Sequence, residues 1–158
     1  MLKEALRKKV KRYFWWEDKI KAEVKMTKAE LEARRHAKNR VGIDDPTGSF
    51  VARKNSKLKV IKIYVNGKRV IIEKPEDWLE VVKKTYDLYS RQPIASVVRE
   101  RIETEKSVEV LSGFMGVSKE TYHRWENEFF DDAVLIASNA GLFQENKNAK
   151  KQKVLHIP

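Results

Sequence analysis

Apolar residues recur along this chain at two different spacings, and the change of spacing divides it. From Leu2 to Val24 the positions Leu2, Leu6, Val10, Tyr13, Trp16, Ile20 and Val24 follow at steps of three and four with basic residues between them, which predicts an amphipathic helix. Tyr13, Phe14, Trp15 and Trp16 are consecutive and splay around the helix. At least one ring is therefore expected outside the apolar stripe, either loosely covered or offered to another subunit. Thr27 followed by Glu30 has capping-box spacing and predicts a fresh helical start near Lys28 that runs to about Asn39. Residues 40–57, RVGIDDPTGSFVARKNSK, hold no period and read as a linker or ordered loop.

Between residues 58 and 74 the period shortens to two. KVIKIYV and KRVIIEK flank Asn66-Gly67, the favoured two-residue hairpin turn, so Val65 should face Lys68, Ile63 should face Val70 and Ile61 should face Ile72. Tyr64 with Arg69 and Lys62 with Ile71 then fall on the other face. A lone hairpin is marginal in water, so its apolar face must pack on helices, meet a third strand or dimerise.

Helical spacing returns at Pro75, which suits a first helical position, with Glu76 and Asp77 at the positive helix end and an apolar row of Trp78, Leu79, Val82, Tyr86 and Tyr89. Pro93 opens another helix carrying Ile94, Val97, Val98 and Ile102, expected to pack across the pair that follows. That pair is VEVLSGFMGVSKETYHRWEN, residues 108–127. Gly116 stands where a left-handed turn residue is needed, and Ser118 can accept the N–H bond that opens a second helix. Leu111, Met115, Val117, Tyr122, Trp125 and Phe129 keep the apolar spacing, and Ser112 is small where the two helices must nearly touch. The last helix should run from Lys119 to about Ala140 on an inner row of Tyr122, Trp125, Phe129, Ala133, Ile136 and Ala140, with Gly141 as its stop.

The fold class that follows is mainly α with one β-hairpin. A helix-turn-helix domain at 75–143 is preceded by an N-terminal helical region at 1–39, the linker at 40–57 and the hairpin at 58–74, and is followed by a basic, polar tail at 144–158.

Charge narrows the partner. The 158 residues carry 34 Lys and Arg against 23 Asp and Glu, a net charge of +11, which favours polyanions and nucleic acid above an anionic membrane surface. The charge is uneven: +8 over residues 1–40, +5 over 41–74, −2 over 75–117, −3 over 118–140 and +3 over 141–158. Glu126, Glu128, Asp131 and Asp132 would repel a DNA backbone if turned toward it, so that half of the last helix must point away or meet a basic partner. Cysteine is absent, which excludes a disulfide framework and thiolate metal sites. No apolar run reaches membrane-spanning length, and the lysine-rich start lacks the core of a signal peptide, so a cytoplasmic protein without membrane contact is expected.

If the apolar row of the last helix is buried, its first turns present Ser118, Lys119, Glu120, Thr121, His123, Arg124 and Asn127, a set suited to base edges and phosphates in a major groove. Arg91, Arg99 and Arg101, with Lys62, Lys68 and Arg69 of the hairpin, are further cations able to reach phosphates. Two amphipathic helices around a Gly turn in a plain bundle would show the same spacing. An enzyme is not expected: His36, His123 and His156 lie in separate segments without ligand-like spacing, and no nucleophile stands with a base. Asp44-Asp45-Pro46 reads as a turn rather than a metal site. No cofactor is implied, since the glycines of the loop lack a Gly-Lys-Ser/Thr ending.

The run GVSKETYHRWENEFFDDAVLIASNAGL resembles the end of phage-encoded late-gene transcriptional activators of the RinA and ArpU type, whose helix-turn-helix is similar to sigma-factor region four. The order of hairpin, KPEDWLEVVKKTYDLY, helix and VSKETYHRW is also similar to phage regulators of that group. The resemblance covers roughly residues 68–143. It implies a DNA-binding regulator of phage packaging, structural or lysis genes, with Ser118 through Arg124 on the recognition helix and contacts shared between promoter DNA and RNA polymerase. Double-stranded DNA is then the main partner, with RNA polymerase and a second copy of the chain as further ones. The alternative is a small terminase subunit or other packaging adaptor, which also joins a helix-turn-helix to an oligomerising helical region.

Overall fold

The computed structural model describes residues 2–40 and 57–143. Residues 41–56 of the linker expected at 40–57, with Asp44 and Asp45, and the tail at 144–158 lie outside the described residues. Among those described, the chain is mainly helical with one two-stranded antiparallel hairpin, as the spacing predicts: α1 (Leu2–Trp15), α2 (Glu17–Arg40), β1 (Val60–Val65), β2 (Lys68–Glu73), α3 (Pro75–Leu88), α4 (Pro93–Thr104), α5 (Val108–Met115) and α6 (Lys119–Asn139). No helix among the described residues is long and apolar enough to cross a membrane.

These elements gather into two compact units that cut across the segments expected from sequence: residues 2–15 with 80–143, and residues 16–40 with 57–79. The N-terminal helical region is divided between them. Its break falls at Trp16 and not at Thr27, where the helix runs through and the Thr27 hydroxyl donates to Glu23 Oε1 at 3.4 Å instead of capping a new start. The buried positions explain the break. Val10 and Phe14 are followed by Ile20 and Val24, and the six-residue step between Phe14 and Ile20 moves the apolar row about 240° around a regular helix. One straight helix cannot keep both pairs on one face.

In the first unit, α1 packs on α6, and α4 packs on both α5 and α6. Phe14, 1% exposed, is the ring that α1 contributes to the core, meeting Tyr86, Phe129 and Phe130 edge-on at centroid distances of 5.4, 5.6 and 5.1 Å. Tyr13, placed in the apolar row by sequence, is only half-buried, and Trp15 is exposed. A step of four from Val10 therefore prevails over a step of three.

In the second unit, α2 packs on β1, and Ile20, Val24, Ile61, Ile63, Ile72 and Trp78 are its buried apolar residues. The hairpin register is the predicted one, with Ile61 opposite Ile72, Ile63 opposite Val70 and Val65 opposite Lys68. Asn66 and Gly67 supply the positive φ values, 52° and 78°, that this turn requires. Of the routes open to a marginal hairpin, packing on a helix is seen among the described residues. The Lys19 ammonium donates to the Tyr64 carbonyl at 3.2 Å, the Leu58 N–H donates to Glu76 at 2.9 Å, and Lys28 pairs with Glu76.

Candidate nucleic-acid interface

The pair α5–α6 is built from the signals its sequence carries. Ser107 caps α5, its hydroxyl accepting from Val110 N–H at 3.3 Å. Gly116 closes α5 at φ 68° and ψ 31°, the left-handed conformation that costs any residue with a Cβ more than it costs glycine. Val117 N–H then returns to the Ser112 carbonyl at 3.1 Å, and Ser118 caps α6 by accepting from Thr121 N–H at 3.2 Å. Ser112 is 5% exposed, in keeping with its place at the helix contact.

Tyr122 anchors the inner side of α6 at 0% exposure. With it fixed, Ser118, Lys119, Glu120, His123 and Arg124 are exposed, while Thr121 and Asn127 are half-buried. Five of the seven expected residues are thus open to solvent and the other two partly so. Lys119 reaches across the turn to Glu109 of α5, and this hydrogen bond and charge hold the Glu109 carboxyl below its ordinary value.

The inner side differs from the expected row. Phe129 and Ala133 are buried as predicted, but Trp125 and Ile136 are half-buried and Ala140 is exposed, whereas Glu126, Phe130 and Ala137 are buried. Glu126, 2% exposed, is the residue that sequence placed among repulsive surface carboxylates. It is paired with Arg101 of α4, and Lys11 of α1 stands 3.6 Å away. Burial opposes the charge on Arg101, but attraction and hydrogen bonding from Glu126 outweigh it, so the guanidinium is held above its ordinary value. The same guanidinium lies 5.7 Å from the Trp15 ring centroid. Arg101, expected among the cations that reach phosphate, is instead committed inside its own unit. The Tyr122 phenol beside this pair is pushed well above its ordinary value by burial and then by the Glu126 charge.

Two further acidic residues of α6, Asp131 and Asp132, are also engaged. Arg7 donates to Asp131 at 2.9 and 3.1 Å, with Lys3 at 3.5 Å, and the Tyr89 hydroxyl donates to Asp132. The acidic half therefore finds its basic partners in Arg101 of α4 and, more than a hundred residues earlier in the chain, in α1. No spacing rule could have named them.

Of the remaining expected cations, Arg91 is exposed, and Arg99 is exposed with its guanidinium 4.2 Å from the Tyr86 ring centroid. Lys62, Lys68 and Arg69 are exposed on the hairpin of the second unit, Lys62 opposite Ile71 and Arg69 opposite Tyr64. Tyr64 itself is 66% exposed, an aromatic ring among these cations. Among the described residues, no three His, Asp or Glu side chains group as a metal site. Comparison with protein-family models, with curated proteins and with solved structures finds no match for this chain.

Proposed function

We propose that the chain is a sequence-specific DNA-binding transcriptional regulator, phage- or prophage-encoded and acting in the cytoplasm, that reads the major groove with the first turns of α6. The observation that carries this reading is the exposed row Ser118, Lys119, Glu120, His123 and Arg124 on a helix whose opposite side is held by fully buried Tyr122. A groove-reading helix needs that division, because base edges are reached only by side chains that its own domain leaves uncovered. Arg124 has the fork that matches guanine, Asn127 and His123 can address a base edge, Glu120 can accept from cytosine, and the N-terminal end of α6 suits a phosphate.

Arg91, Arg99 and the hairpin cations Lys62, Lys68 and Arg69 supply sequence-independent attraction in this reading. RNA polymerase and a second copy of the chain are its further partners. The test is selection of bound duplexes from a random pool, followed by Arg124→Ala against the selected site. A loss of roughly 1–3 kcal/mol with relaxed preference at one base pair is expected. Unchanged affinity would contradict the reading.

A further inference from the structure

One turn beyond Arg124, α6 forms the wall of a small cavity that the DNA reading does not use. Its volume is about 130 Å³, and it is lined by Tyr89, Gln92, Pro93, Ile94, Trp125 and Glu128. Tyr89 is held from two sides. The Tyr89 ring packs on Phe129 at a centroid distance of 5.1 Å, and its hydroxyl is tied to Asp132. Trp125, whose spacing assigns it to the core, is half-buried and turns part of its indole to this space.

The carboxylate at this cavity stands apart from its neighbours. Between residues 126 and 132, α6 carries four acids. Glu126 is matched by Arg101 and Lys11, Asp131 by Arg7 and Lys3, and Asp132 by the Tyr89 hydroxyl. Glu128 is exposed and has no ion-pair or hydrogen-bond partner among the described residues. The Tyr89 phenol is held above its ordinary value by burial first, then by Asp132, with Glu128 adding to the effect.

Two aromatic side chains beside an unmatched carboxylate suit a cation. The start of α4 also borders the cavity, and Gln92 makes no side-chain cap there. That helix end alone favours an anion, but it amounts to roughly half a positive charge against the full negative charge of Glu128. Size limits the occupant. Small-molecule sites run to about 300–1,000 Å³, while a cavity near 150 Å³ takes a single benzene-sized group. One side chain fits and a nucleotide does not.

We propose that this cavity receives an arginine side chain from a protein partner, the guanidinium stacking on Trp125 and Tyr89 and pairing with Glu128. Arginine suits it better than lysine because a planar, weakly hydrated fork can stack and make two parallel bonds to a carboxylate, which a hydrated ammonium cannot. The partner is a basic protein segment, and the site does not depend on what the outer row of α6 binds.

The test titrates the full chain, ¹⁵N-labelled, with capped Gly-Gly-Xaa-Gly-Gly peptides bearing Arg, Lys or Gln at the centre. The readout is the Trp125 indole N–H resonance, assigned by its loss in Trp125→Phe. A saturable shift with the Arg peptide, several-fold weaker binding of Lys and none of Gln are expected. Glu128→Gln should weaken the Arg peptide about tenfold, the size of one lost charge-assisted contact, while thermal unfolding stays unchanged. Equal responses to Arg and Gln, equal responses to Arg and Lys, or no effect of Glu128→Gln would overturn the proposal. So would duplex DNA that displaces the peptide from this cavity.

Discussion

Over its first two turns α6 offers solvent a row of polar side chains, Ser118, Lys119, Glu120, His123 and Arg124, while farther along Glu126, Asp131 and Asp132 are gathered in by α1, α4 and Tyr89. One helix thus has a solvated front and an anchored back. The segment 118–140 counts −3, and this number alone argues against approach to a polyanion. Most of that charge is matched within the unit: Glu126 by Arg101, and Asp131 by Arg7 and Lys3. A matched pair presents little net field beyond its own dimensions. Segment charge therefore misjudges a surface whenever the counter-ions come from elsewhere in the chain.

The contrast between front and back can be broken at several strengths. Phe14→Ala strikes the back hardest, since the ring is enclosed by Tyr86, Phe129 and Phe130, and should cost about 3–5 kcal/mol in urea unfolding. His123→Ala on the front should stay within about 0.5 kcal/mol. Similar losses at the two sites would erase the distinction. Arg101→Ala comes next, because it leaves Glu126 buried with Lys11 at 3.6 Å as its remaining cation; about 3 kcal/mol should be lost. A loss under about 1 kcal/mol would mean that water already reaches the pair.

The smallest effect lies at the front. The Glu109 carboxyl, held by Lys119, should titrate in the folded chain with a midpoint below the ordinary 4.5, and NMR should find the midpoint raised again in Lys119→Ala. Because the folded value is the lower one, the contact contributes stability above the unfolded value and loses it as pH falls through the folded midpoint. A midpoint unmoved by Lys119→Ala would place Lys119 away from Glu109 in solution.

Much of the fold was legible because local chemistry dictates it. Asn66-Gly67 sets the hairpin register without help from the rest of the molecule, and Gly116 with Ser118 sets the end of α5 and the start of α6. The open residues at 118–124 followed once Tyr122 was placed inside. What escaped depends on distant partners. Nothing near Glu126 in sequence announces burial, because Arg101 and Lys11 lie 25 and 115 positions away. The choice of Phe14 over Tyr13 turns on which side of α1 meets Phe129 and Phe130, and both steps are allowed by helical spacing. Thr27 and Glu30 carry a capping pattern, but a continuing helix satisfies the same N–H groups, so the pattern went unused. Glu128 was legible only as one acid among four; its separate standing emerged when the other three found partners.

The most direct measurement is amide chemical-shift mapping of the labelled chain against its selected duplex. The account predicts that the largest shifts fall on residues 118–127 while residues 129–137 hold still. Shifts concentrated in 129–137, or none along α6 at saturating DNA, would contradict it.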